Sequence, residues 1–118
     1  MSAILESAKS HFRDKLSGGL RSLEVPEWSI EGKPAVVHYK PSLNFSQQGK
    51  ILSLSDQGKK AEAIVEALIQ RALDEDGNRL FKTVDRIELM KHTDPEIISR
   101  IVGAMAGDED DMDEASKN

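Results

Sequence analysis

The sequence predicts a predominantly α-helical α+β fold, a small β-hairpin packed on about five helices and followed by a disordered acidic C-terminal tail. Three observations carry this expectation. Within 59–75, Ala61, Ile64, Val65, Leu68, Ile69, Ala72 and Leu73 recur at the spacing of one helix face, with Glu62, Glu66, Gln70 and Arg71 mostly off it. The run Ala35-Val36-Val37-His38-Tyr39-Lys40 is β-branched and aromatic and ends at Pro41, as a strand should. From 108 to 118 the chain holds six Asp/Glu, one Lys and one Met, too little apolar surface to offset the entropy of ordering. Residues 1–106 are therefore expected to form a single globular domain, and 107–118 the tail.

The elements follow in order. Residues 2–17 form a first helix, with Ile4, Leu5, Ala8, Phe12 and Leu16 in a stripe, Ser2 as cap and Gly18-Gly19 as stop. Leu20 to Val25 alternate and Pro26 closes the run; Glu31-Gly32-Lys33-Pro34 is a turn. A hairpin or two-to-three-stranded sheet across 20–40 results, with Trp28 and Ile30 in or beside the connection. Two strands alone are marginal in water and must lean on helices or on a partner. Asn44 with Gln47 three residues on is a capping box for a helix over 45–54 that partly buries Phe45, Ile51, Leu52 and Leu54. Ser55-Asp56 caps the main helix, which runs to about Glu75, and Gly77 supplies a left-handed stop. Leu80 and Phe81 then fold back on the helix end. Thr83 caps a short helix over 84–91 with Val84, Ile87 and Met90 inward. Thr93-Asp94-Pro95-Glu96 starts the last helix, striped by Ile97, Ile98, Ile101, Val102 and Met105, and frayed or stopped by Gly103 and Gly107.

Composition narrows the function. A chain of 118 residues without Cys excludes disulfides, thiolate zinc sites and a thiol nucleophile, and fits a reducing cytosol. No apolar run approaches the roughly 20 residues that span a bilayer, and Glu6 interrupts what a signal peptide would need to be apolar. Charge is uneven: residues 1–60 carry net +3 and residues 61–118 net −8, within a total of −5. The first half is too weakly and too diffusely basic for a phosphate-tracking face, so no nucleic-acid partner is expected.

No chemical motif survives inspection. Asp74, Asp76 and Asn78 imitate the start of a calcium loop, but Arg79, Lys82 and Asp85 then occupy positions where Gly, an oxygen donor and Glu belong; a register set by Gly77 fails equally. His11, His38 and His92 sit on different elements with no i,i+4 pair, so no metal site is expected. Gly18-Gly19 is followed by no Gly-Lys-Ser/Thr and is not a phosphate loop. No catalytic residues and no cofactor are assigned. Trp28, Tyr39, Leu80 and Phe81, large apolar residues beside turns, are the candidate partner contacts; covering the hairpin for Trp28, and plain packing for Leu80 and Phe81, are the competing readings. The acidic end is read either as a solubilising tail or as an electrostatic shield for a sticky partner.

The order of these features carries a resemblance. A hairpin with Val25-Pro26-Glu27-Trp28 and Val37-His38-Tyr39-Lys40-Pro41-Ser42-Leu43 precedes an Ala-rich helix, then Asp74-Glu75-Asp76-Gly77-Asn78-Arg79-Leu80-Phe81. A short helix, an Asp-Pro-Glu cap and Ile97-Ile98 with Ile101-Val102 follow. Over roughly residues 20–106 this resembles the tail assembly chaperones of long-tailed (siphovirus-type) double-stranded DNA bacteriophages. The helix over 2–17 lies outside the match. The resemblance implies a protein of the host cytoplasm that binds and solubilises the tape measure protein and helps recruit tail tube subunits. It also implies a longer frameshifted form, for which the terminal Ser116-Lys117-Asn118 is a candidate slippery region. A virion neck or tail-completion subunit is the alternative. A helix-turn-helix regulator built from 84–106 is disfavoured because 94–106 offers Arg100 alone as an outer-face cation. The sequence leaves the oligomeric state open and allows a weak homo-oligomer through the client-binding surface.

Overall fold

The computed structural model describes residues 2–117, with side chains from 2 to 107. Five helices, one 3-10 turn and one hairpin follow one another: α1 (Ala3–Leu16), β1 (Arg21–Ile30), β2 (Lys33–Tyr39), α2 (Phe45–Asp56), α3 (Lys60–Arg71), a 3-10 turn (Thr83–Asp85), α4 (Arg86–His92) and α5 (Pro95–Lys117). The fold is the expected mostly helical α+β arrangement. α5 continues through Gly103 and Gly107, the expected points of fraying or stop, to Lys117; the tail expectation for 107–118 otherwise falls, Gly107 apart, outside the residues whose side chains are described.

The hairpin is longer than Pro26 suggested. β1 and β2 pair antiparallel from Arg21 opposite Tyr39 to Val25 opposite Ala35, and resume at Ser29 opposite Pro34. The irregularity between Val25 and Ser29 absorbs Pro26, which has no N–H to give the ladder. The chain reverses at Glu31 (φ 53°) and Gly32 (φ 80°), the two left-handed residues of a tight hairpin turn that follows strand twist. A third backbone joins the far end: the His38 N–H donates to the Leu73 carbonyl at 2.9 Å, and the Leu73 N–H donates to the His38 carbonyl at 2.7 Å.

That pairing explains why α3 ends at Arg71 rather than at Glu75. Ala72 is extended (ψ 121°), and the chain turns back through residues 74–78. Asp74 Oδ1 accepts from the backbone N–H groups of Asp76 and Asn78, each at 2.9 Å, so the acid that imitated a calcium ligand serves as an Asx cap. Gly77, at φ 88°, closes this turn instead of capping the helix.

Caps behave unevenly. Ser2 Oγ accepts from the Leu5 N–H, and Asn44 and Gln47 form the complete capping box. Lys59 replaces Ser55-Asp56 as the α3 N-cap and makes no side-chain capping bond. Lys82, not Thr83, is the N-cap of the 3-10 turn, its N–H donating to Asp85 Oδ2 at 2.8 Å, and Asp85 then precedes α4 without a side-chain cap bond of its own. Asp94 Oδ1 accepts from the Glu96 N–H, while Thr93 Oγ1 donates back to the Leu89 carbonyl and closes α4.

The core joins Val25, Val37 and Tyr39 of the sheet to Val65, Leu68, Ile69 and Ala72, Leu89 of α4, and Ile98, Ile101 and Met105 of α5. Each fully buried aliphatic stabilises the fold by about 1.5–3 kcal/mol. The α5 stripe is as expected. α3 is flanked by α2, α4 and α5, so burial wraps around it and takes in Glu66, Gln70 and Arg71, which single-face periodicity had left outside. Two other inward assignments are corrected. Leu89 alone turns α4 into the core, while Val84, Ile87 and Met90 are exposed; Phe45 (92% exposed) and Leu52 also face outward. Arg100 of α5 clamps Glu27 of β1 with two bonds of 2.6 and 2.7 Å, tying the last helix to the hairpin.

Candidate functional site

Three of the four sequence-nominated contacts meet in one place. The irregular step in β1 re-aims Trp28, which is half-buried against the core. Phe81 reaches it from the other side because the 74–80 turn is held back on itself: the Asp74 N–H donates to the Asn78 carbonyl at 2.8 Å, and the Leu80 N–H to the Ala72 carbonyl at 3.0 Å. The two rings meet edge to face, with centroids 6.2 Å apart and planes at 76°, a geometry favoured by the ring quadrupoles. Beside them lies a groove of about 300 Å3, walled also by Ile30, Val36 and Leu80. Ile30 is 67% exposed, and Val36 and Leu80 are exposed too.

Tyr39 does not belong to this surface. It is 3% exposed, inside the core, with the Arg71 guanidinium carbon 6.0 Å from its ring centre. Its alternation with Val37 on β2 is the signal that points inward. Ile30 and Val36 are the groove residues that sequence reasoning did not single out as contacts. Their signal is the hairpin itself: Ile30 precedes the Glu31-Gly32 reversal, and Val36 lies on the returning strand opposite Glu24, alternating with the buried Val37.

No titratable side chain lines the groove, so it offers apolar contact and no proton transfer. Among the described residues no group of three or more His, Asp or Glu converges as a metal site, and no helix is long and apolar enough to cross a membrane. His11 and His92 are exposed on separate helices, and His38 is half-buried in β2.

Two further apolar surfaces stand uncovered. None of α1 is buried; Ile4 and Leu5 are exposed, and Ala8 and Phe12 share with Leu43 and Phe45 an open groove of about 440 Å3. The outer side of the 3-10 turn and α4 presents Val84 (82% exposed), Ile87 and Met90.

No protein-family model, curated protein or solved structure matches this chain.

Proposed function

We propose that this is a non-catalytic binding protein, a phage tail assembly chaperone that holds the tape measure protein soluble in the host cytoplasm and helps recruit tail tube subunits. The observation that supports the reading best is the amount of apolar surface left open on a small, acidic, mostly helical chain. The Trp28–Phe81 groove, the α1 face and the outer face of α4 are separate patches of the kind that mark interaction sites. Open apolar grooves suit an amphipathic client helix, whose anchors would sit at helical spacing. The order of motifs from the hairpin to α5 adds the resemblance that names the client.

The test is co-expression with the tape measure protein of the same genome, reading the fraction of that protein that stays soluble and co-purifies. The wild-type chain is expected to raise both. Ile30→Ser with Leu80→Ser, two exposed groove positions, is expected to keep the native circular dichroism spectrum and to lose co-purification. If the wild-type chain neither solubilises nor retains the tape measure protein, the reading fails. Finding the chain in purified particles would then identify a neck or tail-completion subunit.

A further inference from the structure

The geometry points to a second site, independent of the apolar grooves, that binds a small oxyanion of the phosphate class. It is a cavity of about 240 Å3 between the end of β2, α2, the end of α3 and the 74–79 turn. Its wall carries Lys40, Arg71 and Arg79, the amide side chains Gln47 and Gln70, and no acidic residue.

One of the cations, Arg71, is buried in the wall. Arg71 is 6% exposed, and its Nη2 donates to the Lys40 carbonyl at 3.1 Å. Arg79 Nη2 donates to Gln70 Oε1 at 2.7 Å, and Gln70 Nε2 donates in turn to Glu66 Oε2 at 2.8 Å. A guanidinium carries five N–H donors, so the bond to Gln70 orients the Arg79 fork without exhausting it. Gln47, also on the wall, has its Oε1 accepting from the Asn44 N–H at 3.1 Å, which leaves Nε2 as the donor end of that amide. The buried carboxylate behind this wall, Glu66, is engaged by Arg86 and does not line the cavity.

Charge and shape select the ligand. A single carboxylate would answer one of the two exposed cations, Lys40 and Arg79, whereas a phosphate carries about −1.5 to −2 at pH 7 and three acceptor oxygens. Guanidinium forks match phosphate oxygens two at a time. The volume also leaves room for an esterified group, so free phosphate and a phosphate monoester share the chemistry.

The experiment titrates the full chain with sodium phosphate and with glycerol phosphate, against sodium acetate and sodium chloride at matched ionic strength, by calorimetry and by thermal unfolding. Phosphate is expected to bind with a dissociation constant on the order of 1 mM, and to raise the unfolding temperature where acetate and chloride do not. Lys40→Gln with Arg79→Gln, at exposed positions, is expected to retain the native circular dichroism spectrum and weaken binding at least about tenfold. Equal binding of both phosphates assigns the site to the ion itself, and tighter binding of glycerol phosphate to a phosphorylated small molecule; either supports the site. Phosphate acting no differently from chloride, or undiminished binding in the folded double variant, overturns it.

Discussion

Glu66 keeps a carboxylate in the core, at 2% exposure, because Arg86 and Gln70 both reach it. A buried ion pair adds little net stability, yet removing one member is costly because the other is left without its partner. Arg86 is partly exposed and can recover some hydration. Glu66→Ala is therefore expected to destabilise the fold by about 3 kcal/mol, read from urea denaturation. The exposed pair behaves differently. The Arg100 guanidinium, hydrogen-bonded to both oxygens of Glu27, holds that carboxyl down from its ordinary 4.5 to about 2. A depressed folded value means the stabilisation is fully present above the ordinary value and is lost as pH falls through the folded one. The loss should lie between pH 4.5 and about 2. In Arg100→Ala, an NMR titration should find Glu27 raised from about 2 toward 4.5, short of it by what its own backbone hydrogen bond still contributes, and the stability profile should lose most of that acid-range slope. An unmoved Glu27 titration would refute the assignment. Being exposed, the pair should also weaken in salt.

At the scale of elements, the last two helices show how a face is chosen. Thr93-Asp94-Pro95-Glu96 and five aliphatics at helical spacing specify α5 without ambiguity, and its buried side is the expected one. The preceding segment has Val84, Ile87, Leu89 and Met90, enough apolar residues for two different faces, and only packing against α3 selects Leu89. Leu89→Ala is expected to cost about 2–4 kcal/mol, as a core truncation does. Ile87→Ser should stay within about 0.5 kcal/mol of wild type, as an exposed change does. Chemical denaturation of both variants checks this, and a reversed order would place the wrong face in the core. The hairpin carries the same lesson. Val37 and Tyr39 were legible as strand residues, but Tyr39 as a contact was not, because a large ring beside a turn looks alike from outside or inside the core. Capping chemistry was legible where side chain and backbone lie three residues apart, as at Asn44 and Gln47. It misled where two caps competed, as at Thr93 and Asp94.

For the whole molecule, the open faces of α1 and α4 together with Phe45 predict weak self-association. Sedimentation velocity should show the weight-average coefficient rising with concentration for the wild-type chain. The rise should shrink in Ile4→Ser/Leu5→Ser/Phe45→Ser, which removes exposed apolar groups from α1 and α2 and leaves the α4 face in place. A concentration-independent wild-type profile would refute it. By itself the sequence determined the element order, the helix caps that act within one turn, the α5 stripe and the absence of thiol chemistry. All of these depend on neighbours a few residues apart or on composition. Only the tertiary structure decided that α3 is buried nearly all round, that Trp28 meets Phe81, that Tyr39 is interior, and that Lys40, Arg71 and Arg79 share a cavity. The physical reason is that burial and charge clustering depend on which elements surround a helix. Periodicity records a single face, while α3 has neighbours on several sides.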